Sequence, residues 1–374
     1  MVTVNDTTNT LTLYYATNRA HKGKDRWHPG SYGPKFSDDG MENLRFGRLK
    51  LDVDAAKIER YLAADKIEDL SAYLETRAKS AAIDAFPEKL DRSVAENLQD
   101  AKLGSAAMFA ELKELMEKCS DVLVYVHGFN VSWFSAVGAA LALQIKLNRS
   151  PLADPEQSVV VVLFTWPSDG MALPFASYKS DRSEAEGSGK AFGRGLLRLR
   201  DYLHALRQNG AQLCRQDIHL LCHSMGNYLL QSVIQRVAEF TAGTTLPRLF
   251  EHVFMCAPDV DDDVLEPDKP LGRLQEITRN VSVYYNRGDA AMVVSDFTKG
   301  NPDRLGHNGA ARPRLLHNKV HQIDCSEVVG GLVEHSYYLF GPVNADIRQS
   351  IDGIVHDDEK RRRKNIQLNV WTLA

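Results

Sequence analysis

Little in this chain of 374 residues advertises a macromolecular partner. Lysine and arginine number 45 against 49 aspartate and glutamate, a formal net charge of -4. That balance lacks the basic excess that tracks a phosphate backbone, so no nucleic-acid partner is expected. Only five cysteines occur, Cys119, Cys214, Cys222, Cys256 and Cys325. They are odd in number, scattered and without paired spacing, which argues against both a disulfide framework and a zinc knuckle and suits a reducing cytoplasm. Long apolar runs are missing too. The clearest, VVVVLFTW at 159–166, is far shorter than the about 20 residues that cross a bilayer. The start, MVTVNDTTNTLTLYYATNRAH, has no basic segment leading into an apolar one, so no secretory signal is expected. What the chain does have is 44% hydrophobic residues, enough to bury a full core in one large or two ordinary domains.

The hydrophobic period changes twice along the chain. LTLYYATN and RLKLDVD read as strands; in the second, Leu49, Leu51 and Val53 alternate with polar residues. From Ala55 to Cys119 apolar residues recur every three or four positions, as in Ile67, Leu70 and Leu74, in Leu90, Val94 and Leu98, and in Met108, Leu112 and Leu115. This predicts a helical insertion, interrupted near Pro87 and Gly104. Beyond Ser120 come six short, almost continuously apolar runs: DVLVYVHG, SVVVVLFTWPS, DIHLLCHS, FEHVFMCAPD, NVSVYYNRGD and NKVHQIDCS. Strands without polar alternation are buried on both faces, so the expected fold is α/β, with a doubly wound, mostly parallel sheet. The predicted organisation is N-terminal strands in 1–54, the insertion in 55–119, a catalytic core in 120–345 and a C-terminal tail in 346–374. The charged HDDEKRRRK at 356–364 is expected to be a solvated helix or an unstructured end.

In such sheets function gathers beyond the carboxyl ends of the strands. The stretch HLLCHSMGNYLL at 219–230 has the order strand, tight turn, helix, which lifts the Ser224 hydroxyl above the sheet beside a helix N-terminus. Gly226 supplies the small neighbour that close packing of helix and strand needs, and Cys222 stands where the commonest form of the pattern has glycine. Serine also caps helices, but a cap requires neither the apolar strand before it nor Gly226 after it. Ser224 is therefore the candidate nucleophile.

A nucleophile in this kind of turn is followed in chain order by an acid and then a histidine. APDVDDD offers Asp259 and NRGD offers Asp289. The compact NRGD turn ends the second strand after the serine, which favours Asp289 and leaves Asp259 as an acidic capping turn. The histidines beyond are His307, His317, His321, His335 and His356. His321 lies inside a strand pattern, His307 and His317 precede it, and His356 falls in the charged tail. His335, in the loop after the strand, is the candidate base. The oxyanion formed during acyl transfer needs backbone donors; the amides of Met225, next to the nucleophile, and of Phe129, behind the flexible Gly128, are the candidates.

Taken with YATNR at 15–19, VHGFN at 126–130, FTWPSDG at 164–170, YKSD at 178–181, CHSMGN at 222–227, APDVDDDV at 257–264 and EHSYY at 334–338, these features resemble an α/β-hydrolase. More narrowly, the chain is similar to a bacterial, esterase-like serine-hydrolase branch catalogued as a domain of unknown function. The resemblance implies a Ser224, Asp289, His335 triad acting on carboxylic esters of small molecules. No metal or organic cofactor is expected.

Specificity is less legible. Trp133, Phe134, Trp166, Met171, Leu173, Phe175 and Tyr178 follow strands at the expected active face and suggest an apolar pocket, with Trp166, Tyr178 and Asp181 as candidate substrate contacts. The polar, glycine-containing 167–189 segment is a candidate lid, in which Asp181 and Arg182 either form a salt bridge or meet a polar substrate. The same triad also serves amidases, thioesterases and acyltransferases, and a binding or scaffold protein can retain the fold.

Overall fold

The computed structural model describes residues 10–88, 104–118, 120–151, 153–154, 156–168, 174–208, 216–241, 245–292, 303–330 and 335–374. Its centre is an 11-stranded sheet. The strands are β1 (Thr10–Thr17), β4 (Arg45–Asp52), β5 (Ala82–Ala85), β6 (Ser120–Val126), β7 (Ser158–Thr165), β8 (Ile218–His223), β9 (Phe250–Cys256), β10 (Thr278–Tyr285), β11 (Val320–Asp324), β12 (Arg363–Gln367) and β13 (Val370–Leu373). A separate hairpin pairs β2 (Arg19–Lys22) with β3 (Ser31–Phe36).

Strand order across the main sheet is β12-β13-β11-β10-β9-β8-β6-β7-β1-β4-β5. From β1 to β13 every neighbour is parallel, whereas β4, β5 and β12 pair antiparallel at the two margins. The central strands are buried on both faces, which is why they read as unbroken valine and leucine runs. One face is covered by α4 (Trp133–Asn148), α2 (Ile67–Ala78) and α7 (Gly341–Ile351), and the other by α3 (Gly104–Met116), α5 (Pro174–Gln208) and α6 (Gly226–Thr241). The chain leaves β6 through α4 to reach β7 on one side, then returns through α5 to β8 on the other. The strand order therefore reverses at β6, and the crevice beyond its carboxyl end is where an open sheet of this kind binds ligands.

Two segments, the insertion and the tail, differ from expectation. The 55–119 insertion is not purely helical: besides α1 (Ala55–Ala63), α2 and α3 it contributes β5, which extends the sheet by pairing with β4. Leu90, Val94, Leu98 and Cys119 lie outside the described residues, as does Cys214. The second half of the candidate 167–189 lid is the beginning of the 35-residue α5, packed along α6, while 169–173 lie outside the described residues. The tail is neither a solvated helix nor unstructured. It folds back as the β12–β13 hairpin, because Arg361 and Arg363 form buried ion pairs with Asp346 on α7. Among the described residues no helix is long and apolar enough to cross a membrane.

Candidate active site

Ser224 follows β8 directly and holds φ +53°, a left-handed conformation that costs a residue with a Cβ of order 1 kcal/mol or more. Its surroundings hold it there. The Ser224 amide donates to the Cys256 carbonyl at 2.9 Å, and its own carbonyl accepts from the amides of Asn227 at 3.0 Å and Asp259 at 3.3 Å. The Asn227 side chain adds bonds to the carbonyls of Cys222 and Ser224. The turn passes so close to β6 that a Cβ on Gly226 would lie 2.8 Å from the His127 carbonyl oxygen. Similarly, a Cβ on Gly128 would stand 2.7 Å from Ser224 Cβ. Cys222, in place of the commoner glycine, is accommodated as a fully buried thiol whose pKa burial raises.

Asp289 is fully buried just beyond β10. Its Oδ1 accepts from the amides of Ala291 at 3.0 Å and Met292 at 3.3 Å, and Oδ2 lies 2.7 Å from His335 Nδ1. An imidazole that donates from Nδ1 keeps Nε2 as its acceptor in the neutral form. The segment carrying His335 is docked from three sides. The Tyr337 hydroxyl donates to the Tyr284 carbonyl at 2.9 Å, Tyr338 and Tyr125 share a hydroxyl contact of 2.6 Å, and His223 Nε2 meets the His335 carbonyl at 3.1 Å. Burial, with His335 nearby, pushes the His223 pKa well down, so its ring is neutral and Nε2–H is the donor. The rings of His223 and His335 stand 4.7 Å apart. Among the described residues no hydrogen bond joins Ser224 Oγ to His335.

The loop after β6 is shaped from beneath. His127 is fully buried and stacked on Trp166 at 5.3 Å. Its Nε2 accepts from the Trp166 amide and the Thr165 hydroxyl, so Nδ1–H donates to the Gly128 carbonyl. Burial and then the charge of Arg19 lower its pKa to about 3. Buried Arg19 donates to the Thr165 hydroxyl and to the carbonyls of Gly33, Val131 and Ser168. Asn130, at φ +56°, donates its amide to Asp181 at 3.3 Å, and the Ser168 hydroxyl donates to the same carboxylate oxygen at 2.8 Å. The Phe129 and Met225 amides make no hydrogen bond to a protein acceptor among the described residues.

Residues 105–348 match the sequence model of a family described as an alpha/beta hydrolase of unknown function, DUF900. The chain belongs to that family. No curated protein matches. Among solved structures the hydrolase is similar to Aspergillus fumigatus lipase B, with a TM-score of 0.34 and 12% identity over 64% of this chain and 53% of that one. It thus spans about half of the lipase's length. A Trichoderma reesei cutinase bound to a phosphonate inhibitor gives a TM-score of 0.25 and 12% identity over 67% of this chain and 87% of that one.

Two of the three candidate substrate contacts in this α/β hydrolase are buried within the protein. Trp166 is fully buried, with its ring nitrogen donating to the His127 carbonyl, and Asp181 is buried beneath the 128–131 loop. Tyr178 is partly exposed; its ring lies 5.7 Å from that of Phe129 and its hydroxyl donates to Asp259 at 2.6 Å. Asp259 is also 3.4 Å from Arg304. Asp181 and Arg182, adjacent in sequence, form no ion pair with each other among the described residues. His307 and His317 precede β11, His321 lies in it, and His356 stacks on His321 at 4.0 Å.

His223 and Arg19 were not singled out individually by the sequence reasoning. Arg19 does carry a signal, as the one charged residue closing the YATNR stretch after a buried strand. His223 carries none, because its acceptor is a carbonyl 112 positions away. Among the described residues no group of three or more His, Cys, Asp or Glu side chains is arranged to hold a metal ion.

Proposed function

We propose that the protein is a serine hydrolase that cleaves carboxylic esters of small molecules, with Ser224 as nucleophile, His335 as general base and Asp289 as its orienting acid. The observation that carries this reading is the 2.7 Å bond from His335 Nδ1 to a buried Asp289, beside a serine in a left-handed strand-to-helix turn. His335 Nε2 takes the Ser224 proton as Oγ bonds to the acyl carbon. The Phe129 and Met225 amides stabilise the oxygen that becomes negative. Collapse of the intermediate expels the alcohol, which receives the proton from His335, and water then releases the acid by the same route. A long contact between nucleophile and base is common in substrate-free enzymes, where such bonds tighten only in the complex with substrate.

Labelling by a fluorophosphonate probe, mapped by mass spectrometry, tests this reading. The expected result is modification of Ser224 in the wild type and none in Ser224→Ala or His335→Ala, with slower labelling of Asp289→Asn. The kcat for hydrolysis of 4-nitrophenyl butyrate should fall by about a million-fold in Ser224→Ala. A folded wild type that neither labels nor hydrolyses the ester overturns the reading. Matched ester, thioester and amide substrates fix the bond class, and the ester is expected to react fastest.

A further inference from the structure

Arg182 is left without a task by the machinery above. It lies one turn beyond Tyr178 on α5, at the edge of the sheet where Ser224 stands. Asp181, its neighbour, points inward to Ser168 and Asn130. Arg182 turns the other way, with its guanidinium carbon 4.1 Å from the centre of the Tyr228 ring and 6.0 Å from that of Tyr178. Both rings border the candidate site. Tyr228 is in the first turn of α6, four residues after Ser224, and Tyr178 packs on Phe129. Arg182 is half-buried and lies between a ring on the nucleophile's own helix and one that packs on Phe129.

The Tyr228 hydroxyl takes part of the guanidinium's N–H fork, and the ring faces hold the group in place without occupying the remaining N–H groups. Among the described residues no carboxylate forms an ion pair with Arg182. The acidic group nearest to it in effect, Asp259, already accepts from the Tyr178 hydroxyl and faces Arg304, which also pairs with Asp261. Moreover, the positive end of the 16-residue α6 opens on the same edge. A partly desolvated cation positioned on aromatic faces next to a nucleophile is suited to receiving an anion from the substrate. One such guanidinium matches a single negative charge in two parallel bonds, the geometry of a carboxylate.

We propose that Arg182 is a specificity-determining residue, and that the substrates of this hydrolase are esters bearing a carboxylate that docks on the Arg182 guanidinium above Tyr178 and Tyr228. The proposal rests on the serine-hydrolase reading and names the substrate class for the same site.

Two matched pairs of substrates test it. Monomethyl succinate against methyl butyrate places the charge on the acyl side, and acetoxyacetate against ethyl acetate places it on the alcohol side. The quantity read is the ratio of kcat/KM, charged over neutral, compared between wild type and variant so that intrinsic reactivities cancel. In at least one pair, Arg182→Gln should lower the ratio by about tenfold or more, Arg182→Lys should restore part of it, and added salt should lower it in the wild type. Ratios that are the same in wild type and Arg182→Gln for both pairs overturn the proposal. If Arg182→Gln does not fold, wild-type ratios that are insensitive to salt overturn it. Fluorophosphonate labelling separates the two levels: labelling of Ser224 with unchanged ratios rejects only the role of Arg182, whereas an unlabelled wild type rejects the hydrolase reading beneath it.

Discussion

A single methyl group decides whether Ser224 and the loop after β6 can approach as they do. A Cβ on Gly128 would lie 2.7 Å from Ser224 Cβ and 3.2 Å from its Oγ, so Gly128→Ala must push the loop away from the turn. The atom moved most directly is the next amide, that of Phe129. Loss of one oxyanion donor typically costs 100-fold or more in kcat. Gly128→Ala is therefore expected to lower kcat for ester hydrolysis by about 100-fold while the protein still unfolds cooperatively, as checked by kinetics and thermal melting on the same preparation. Undiminished turnover would show that the loop does not act on the reacting oxygen. His223 makes a complementary case. His223→Phe keeps a ring against His335 and Tyr338 but removes the Nε2–H that holds the His335 carbonyl. A positioning role predicts about a tenfold fall in kcat, the scale of one lost hydrogen bond, with KM nearly unchanged.

At the scale of elements, the C-terminal hairpin is joined to the sheet by buried charge. Asp346 on α7 accepts from the Tyr284 hydroxyl at 2.7 Å and from Arg361 and Arg363, all three groups being buried. Burial alone would raise the pKa of its carboxyl, but the two guanidiniums more than offset this and hold it below the usual range. Asp346→Ala leaves two buried cations facing each other, so it should destabilise the protein by about 3–5 kcal/mol, seen as a lower urea midpoint with an unchanged slope. Nothing local in HDDEKRRRK reveals this, since the carboxylate that organises Arg361 and Arg363 comes 15 and 17 residues earlier. By contrast, β6, β7 and β8 were legible because strands buried on both faces are dominated by apolar residues, as in VLVYV and VVVVLF. Ser224, Asp289 and His335 stood out because each closes or follows such a run. What could not be read was whatever depends on partners distant in the chain: the bonds of Arg19 to Val131 and Ser168, the inward turn of Asp181, and the pairing of β5 with β4 in a segment whose period is otherwise helical.

For the molecule as a whole, buried histidines set the response to acid. Burial holds the pKa of His127 and of His321 down at about 3 and pushes those of His223 and His252 well below the ordinary value. With depressed pKa values in the folded state, the unfolded chain binds more protons, so stability is lost as pH falls below about 6.5 and continues to fall toward about 3. Between pH 7 and pH 5 each such histidine removes about 2 kcal/mol. His321 allows this to be isolated. It lies in β11 between the rings of His356, at 4.0 Å, and Trp371, at 5.3 Å, so His321→Phe preserves an aromatic ring there while deleting the titration. Urea unfolding of wild type and variant at both pH values should show the variant losing about 2 kcal/mol less on acidification. Every other titrating group is common to the two proteins and cancels in that difference. Equal losses would mean that His321 takes up its proton without unfolding, and that the stacked His321, His356 and Trp371 side chains open to water at pH 5 while the rest of the sheet stays intact.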